Sequence, residues 1–161
     1  MLLNNLFNFI VETIKNYYMS TNQIIIDLPL GNTKEEIKRR EQIISEVYRN
    51  WYDVNPSKAV FNDNLKDVIN VRFLSITETM RHAAKSYLST LVVLQLEMIL
   101  KCARQVGEPT PPKAGVSNQS IFEEMIIMEC PLIGIGVAKL TVGVKKKTGM
   151  KIQYCITALG T

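Results

Sequence analysis

The sequence has few of the residues on which metal sites and disulfide frameworks depend. It contains one histidine and three cysteines among 161 residues. Cys102, Cys130 and Cys155 lie in apolar stretches without CxxC spacing, and no histidine stands at ligand spacing from any of them. Zinc sites need several ligands close together, and disulfide frameworks need paired cysteines. The pattern instead predicts reduced, buried thiols in a reducing compartment, which we expect to be the cytoplasm.

Signatures of nucleotide binding and of common catalytic centres are missing as well. There is no GxxxxGK[ST] loop, no GxGxxG after a strand and no nucleophile elbow. Gly134-Ile135-Gly136 is too short to hold a phosphate and is typical of a turn. Glu123, Glu124 and Glu129 have no neighbouring aspartate or histidine with which to chelate a metal. We therefore expect neither a metal ion nor a cofactor.

No apolar run reaches the length of a membrane span. The apolar residues of segment 1–19 are interrupted by Glu12 and Lys15, well short of the ~20 needed. The segment also lacks the basic start and the cleavage site of a signal peptide. The spacing of apolar residues in segment 1–18 predicts an amphipathic helix that docks on the domain or on a second subunit of a homo-oligomer. A start codon misplaced upstream of Met19 is the alternative, and no membrane partner is expected.

The composition is that of one globular domain. Apolar residues make up 47% and charged residues 21% of the chain, with a net charge of +4. Its length suffices to bury a core, so residues 19–161 predict a single domain. The positive charge is concentrated at the C-terminus, where residues 137–161 hold five lysines and no acidic residue. This concentration is a more specific indication of an anionic partner than the net charge.

The pattern of elements predicts an α+β fold. N-terminal helices and a buried central helix would pack on an antiparallel sheet that ends in a three-stranded meander. Thr33 and Glu36 form a capping box, which predicts a helix start. The charged side of that helix predicts a solvated face, comprising Lys34, Glu35, Lys38, Arg39, Arg40 and Glu41. The predicted strands are 23–27, 68–73, 121–130, 137–145 and 150–158; the central helix spans 87–106, and a proline-rich loop spans 107–119.

Alternation in the last two strands predicts one apolar and one polar face of the sheet. The apolar face would comprise Leu140, Val142, Val144, Ile152, Tyr154 and Ile156. The polar face would comprise Lys139, Thr141, Gly143, Lys145, Lys151, Gln153, Cys155 and Thr157. Lysines and hydroxyl groups at this spacing could hold a phosphodiester. A sheet face that is simply solvated, with lysines that prevent edge aggregation, is the other interpretation.

His82 is the second candidate for chemistry. Histidine is the side chain best suited to proton transfer near neutral pH. It lies between Arg81 and Lys85, just before the predicted central helix. An ordinary surface histidine is the competing interpretation.

The order of these elements resembles the barnase/EndoU/colicin/RelE-type (BECR) ribonuclease superfamily, especially its prophage and mobile-element branches. The residues that carry the resemblance are Ile69-Asn70-Val71-Arg72, the Arg81-His82 pair, the helix 91–103 and the strand pair AKLTVGVKKKTGMKIQYCIT (138–157). The likeness covers about residues 68–158. The N-terminal third is similar to attachments in uncharacterised gut Bacteroidetes proteins.

This resemblance implies metal-independent RNA cleavage, in an active or a decayed toxin or effector. It implies catalysis by His82, Lys139 and Thr157, with His82 as base or acid. It implies RNA binding by Arg81, Lys85, Thr141, Lys145, Lys147 and Lys151. Because the chain has no second histidine, the complementary acid would be a lysine, tyrosine or glutamate. The alternatives are a non-catalytic nucleic-acid-binding module and an oligomeric interaction module.

Overall fold

The computed structural model describes residues 28–160. Its first helix, α1 (Lys34–Val54), begins at the predicted capping box. The backbone N–H of Glu36 donates to Thr33 Oγ1, and the N–H of Thr33 donates to Glu36 Oε2 at 3.1 Å. Two free N–H groups at the helix start are thereby satisfied, and the predicted start is confirmed. The predicted helix 1–18 and strand 23–27 lie outside the described residues.

The fold is α+β, as the sequence predicted. After α1, the elements in chain order are β1 (Ala59–Asn62), β2 (Asp67–Asn70), α2 (Phe73–Ala83), α3 (Tyr87–Val93), α4 (Leu96–Cys102), β3 (Arg104–Gln105), a 3₁₀ turn (Ser117–Gln119), β4 (Phe122–Leu132), β5 (Gly136–Lys145) and β6 (Lys151–Ala158). The sheet has the strand order β1-β2-β6-β5-β4-β3, and all neighbouring strands are antiparallel except β2 and β6. The strands β4, β5 and β6 form the predicted C-terminal meander.

The main core lies between the helices and one face of this sheet. Helices α2 and α3 pack on β6, and α4 packs on β1. The core contains the predicted apolar residues of β5, with Ile156 of β6. The helices of residues 28–160 are all too short or too polar to span a bilayer.

The prediction of a single central helix over residues 87–106 is wrong. The chain bends at Leu94 and Gln95, which separates α3 from α4. The bend lets both halves bury apolar side chains, including the fully buried Val92 and Ile99. Asn62 of β1 then donates to the carbonyl groups at the end of α4. The remainder of the predicted helix forms β3.

The predicted strand 68–73 ends earlier than expected, because Phe73 is already the first residue of α2. The backbone N–H of Arg72 donates to Ser75 Oγ at 2.9 Å. This contact satisfies a polar group at the helix start. As a result, α2 extends across Glu78 and His82 as one continuous helix.

Arg40 contradicts the prediction of a solvated charged face on α1, because it is fully buried. Its guanidinium donates to the carbonyl groups of Pro29 and Gly31, to the side chain of Asn32 and to the carbonyl of Ala84. Ala84 follows the last residue of α2. A buried charge needs full hydrogen bonding, and these contacts tie α1 to the end of α2.

A β-bulge changes which residues of β6 face the core. Thr141 pairs with Cys155 but Val142 pairs with Gln153, so Tyr154 is an extra residue in β6. One extra residue reverses the facing of every side chain beyond it. Gln153 therefore enters the core and is fully buried, whereas Ile152 and Tyr154 lie on the opposite face. The predicted facing of these three residues is wrong.

The face that was predicted to be polar carries a second apolar cluster as a consequence. Its buried members are Phe122, Met125, Ile152 and Tyr154. The ring of Phe122 lies on Gly143, where an added Cβ would be 2.5 Å from two ring carbons. The absence of a side chain at this position lets the ring cover the middle of the sheet.

Candidate functional site

A pocket of about 630 Å³ lies between α2, the loop before β4 and the uncovered end of the meander. We call it the α2–sheet pocket. Its lining residues are Glu78, Arg81, His82, Thr110, Pro111, Lys113, Gly115, Val116, Ser117, Asn118, Gln119, Met125, Ile127, Lys139, Thr141, Tyr154, Cys155 and Thr157. Its size is in the range of ligand-binding clefts.

Three ionisable side chains of α2 meet in this pocket. Glu78, Arg81 and His82 are spaced at i, i+3 and i+4, which places them on one side of the helix. The Glu78 side chain is only 2% exposed, whereas that of His82 is 42% exposed. His82 Nε2 lies 3.4 Å from Glu78 Oε2, and Arg81 Nη1 lies 3.8 Å from Glu78 Oε1. The buried Glu78 carboxylate thus contacts the accessible imidazole of His82.

The loop before β4 covers the buried carboxylate. Asn118 Nδ2 donates to Glu78 Oε1 at 2.5 Å. The adjacent Gln119 is buried, and its Oε1 accepts from the backbone N–H of Lys113 at 2.7 Å. The proline-rich segment is therefore anchored at the pocket by Asn118 and Gln119, while most of its other residues are exposed.

Tyr154 and Cys155 keep their protons in this surrounding. Burial raises the pKa of the Tyr154 hydroxyl, and the negative charge of Glu78 adds to the effect. Burial also raises the pKa of the Cys155 thiol to about 12, again with a contribution from Glu78. A thiol with this pKa is protonated near neutral pH, so the site does not favour cysteine nucleophilic catalysis.

The sheet contributes a cation and two hydroxyl groups. Lys139 and Thr141 are two residues apart on β5 and therefore lie on the same face of the sheet. Thr157 of β6 is directly opposite Lys139. Within residues 28–160, no carboxylate oxygen lies within 4.0 Å of the Lys139 ammonium. Glu129 of β4 is its other cross-strand neighbour but forms no ion pair with it, so the ammonium group can still contact an anionic ligand.

The structure brings together five of the residues singled out from the sequence. Lining the α2–sheet pocket are Arg81, His82, Lys139, Thr141 and Thr157. The other four lie outside its lining: Lys85, Lys145, Lys147 and Lys151. Lys151 instead forms a 2.7 Å ion pair with Asp67 of β2, because the bulge turns it away from the pocket.

Glu78, Asn118 and Tyr154 were not recognised from the sequence as site residues. The spacing of Glu78 and His82 was a usable signal, since residues four apart meet on a helix. Asn118 and Tyr154 gave no local signal, because a loop contact and a bulge place them in the pocket.

The arrangement combines a proton-transfer group with hydrogen-bonding and cationic side chains. His82 can accept or donate a proton, and Glu78 can orient it. Arg81 and Lys139 can neutralise a phosphate. No group of three histidine, cysteine or acidic side chains among residues 28–160 is arranged to hold a metal ion.

No protein-family model, curated protein sequence or solved structure matches this chain. The case for a function therefore depends on the geometry of the pocket.

Proposed function

We propose that the α2–sheet pocket binds RNA and cleaves it by transesterification, without a metal ion. The observation that carries this proposal is the convergence of His82 and Lys139 on one pocket, from a helix and a strand that are distant in sequence. Cleavage of a phosphodiester by the neighbouring 2′-hydroxyl uses a proton acceptor, cations and a proton donor together, and the pocket offers side chains for each.

His82 is the general base of this proposal. Its Nε2 faces the Glu78 carboxylate, which favours the tautomer that carries the proton on Nε2. Nδ1 then holds the lone pair that can accept the proton of a ribose 2′-hydroxyl. Glu78 orients the ring and stabilises the imidazolium that forms, while Asn118 holds Glu78 in place.

Cationic side chains stabilise the negative charge that develops on the non-bridging oxygens of the phosphorane. Arg81 approaches from α2 and Lys139 from β5, and Thr141 and Thr157 add hydroxyl groups beside Lys139. The 2′ oxygen forms a bond to phosphorus while the bond from phosphorus to the 5′ oxygen breaks. His82 gains the 2′ proton, and Lys139 supplies the proton of the leaving oxygen. The products are a 2′,3′-cyclic phosphate and a free 5′-hydroxyl.

Lys139 is the proton donor of this proposal, among the lysine, tyrosine and glutamate side chains expected for the role. The raised pKa of Tyr154 makes its hydroxyl a poor acid. Glu78 is held by Asn118 and His82. Lys139 has no such carboxylate partner among the described residues, so it can bind the phosphate and deliver a proton.

The test is cleavage of single-stranded RNA by the purified chain in the presence of EDTA, with detection of the cyclic phosphate. We expect His82→Ala to lower kcat by about 10²- to 10⁴-fold, the usual contribution of a general base. RNA binding should change little. Lys85→Ala is the matched control, since Lys85 is exposed, close in sequence and outside the pocket.

Two results would contradict the proposal. Cleavage by His82→Ala at the rate of the unaltered chain would exclude the imidazole as the base. Binding of RNA without any cleavage by the unaltered chain would favour the non-catalytic binding module. That module should bind more weakly as salt rises, because each phosphate contact releases counterions.

A further inference from the structure

A second pocket, of about 550 Å³, opens at the start of α2, where α1 ends and β1 begins. We call it the α2-start pocket. Tyr52, Lys58, Arg72 and Phe73 are among its lining residues. The lining includes two cationic side chains and no acidic one. Its charge therefore complements an anion.

Phe73 gives this pocket an accessible aromatic surface. The side chain is 71% exposed although it is large and apolar. Its neighbour Leu74 packs against the second apolar cluster, so α2 is anchored without the Phe73 ring. An exposed ring beside cationic groups is the usual arrangement for stacking of a nucleobase whose phosphate is held nearby.

The two cations are positioned without being neutralised. The Lys58 ammonium lies 4.1 Å from the centre of the Tyr52 ring and donates to the Tyr52 carbonyl. Arg72 Nη2 lies 2.9 Å from the thioether sulfur of Met150. A ring, a carbonyl and a thioether orient a cation but carry no compensating charge. Both side chains can therefore still bind phosphate.

Helix α2 connects this pocket to the α2–sheet pocket. Phe73, Thr77 and Arg81 follow one another at a spacing of four residues, which makes them neighbours along one side of the helix. Phe73 and Arg81 are eight residues apart, or about 12 Å along the axis at 1.5 Å per residue. The side chain of Arg81 is 66% exposed. A short stretch of single-stranded RNA can follow this surface.

From these observations we infer that the α2-start pocket is a second nucleotide subsite for single-stranded RNA. Phe73 stacks on a base, and Arg72 and Lys58 bind the adjacent phosphate. The inference rests on the proposed function, since the α2–sheet pocket holds the scissile phosphate. It predicts that the chain prefers longer RNA to a dinucleotide, which reaches one pocket only.

The test measures binding of an uncleavable 2′-O-methyl RNA of about ten nucleotides by fluorescence anisotropy. We expect Phe73→Ala to weaken binding by roughly 5- to 100-fold, the range for loss of one base–aromatic stack. Arg72→Ala should reduce the dependence of log affinity on log salt by about one phosphate contact. Phe61→Ala is the matched control, because Phe61 is 51% exposed on β1 and lines neither pocket.

Cleavage of a dinucleotide separates this inference from the proposed function. Phe73→Ala should cleave a dinucleotide at the rate of the unaltered chain. Equal affinities of Phe73→Ala and Phe61→Ala for the longer RNA would overturn the subsite, even if cleavage occurs. Phe73-dependent binding by a chain that cleaves no RNA would uphold the subsite as a binding surface and overturn the proposed cleavage.

Discussion

Lys139 and Lys145 lie on the same strand, six residues apart, and both belong to the face that alternation predicts to be polar. Lys139 lines the α2–sheet pocket, but Lys145 does not. Between them, the ring of Phe122 lies on Gly143 and the second apolar cluster covers the sheet. Alternation along β5, which has no extra residue, therefore predicts the side of the sheet on which each of its residues lies. It does not predict what covers that residue.

The largest effect expected from this comparison is on RNA cleavage. We expect Lys139→Ala to lower kcat/KM by about 10²-fold or more, since it removes a phosphate contact and a proton donor. Lys145→Ala removes the same charge from the same strand and should change kcat/KM only slightly. Rates measured on a dinucleotide at fixed salt would decide. Equal losses in the two variants would mean that the charge of the strand matters and its placement does not.

The next largest effect is on the stability of the fold. It concerns the second apolar cluster, which lies between Lys139 and Lys145. The Cβ of Gly143→Ala would lie 2.5 Å from carbons of the Phe122 ring, which is fully buried. We expect the free energy of unfolding to fall by about 1–3 kcal/mol, as for other overpacked cores. Urea denaturation measures this change, with Lys145→Ala as the control. An unchanged midpoint would show that the ring can move aside.

The smallest effect concerns Lys151, which the bulge turns towards β2. The hydrogen bond from Lys151 lowers the pKa of Asp67 below its usual value near 3.8. The pair should therefore stabilise the fold at neutral pH and lose this contribution as the pH falls through the lowered pKa. Both side chains are partly exposed, so Asp67→Asn should cost at most about 1 kcal/mol. Thermal unfolding at pH 7 and pH 2 measures it, and a cost that is undiminished at pH 2 would contradict the ion pair.

Features with a local cause could be predicted from the sequence. The capping box of Thr33 and Glu36 determines the start of α1 through neighbouring backbone groups. The alternation of Leu140, Val142 and Val144 correctly predicts which side of β5 faces the core. The α+β class follows from the order of such elements, each of which has its own pattern.

Features that depend on distant contacts could not be predicted in this way. Arg40 is charged, yet it is buried because carbonyl groups from two separate segments surround it. Glu78 has an ordinary helical environment in sequence, and only the loop that carries Asn118 makes it a covered carboxylate. His82 and Lys139 are 57 positions apart, so their convergence on one pocket was left to the tertiary structure.

The bulge at Tyr154 has a consequence for how the pocket could be lost or gained. A deletion of this single residue would restore uninterrupted pairing of β5 and β6, and would leave Gln153 opposite Val142 and Ile152 opposite Gly143. Such a sheet would be simpler, but it would have neither the tyrosine wall of the cleft nor part of the apolar cover beside it. A change of one codon in length, without any change of charge, would thus be enough to remove one wall of the pocket.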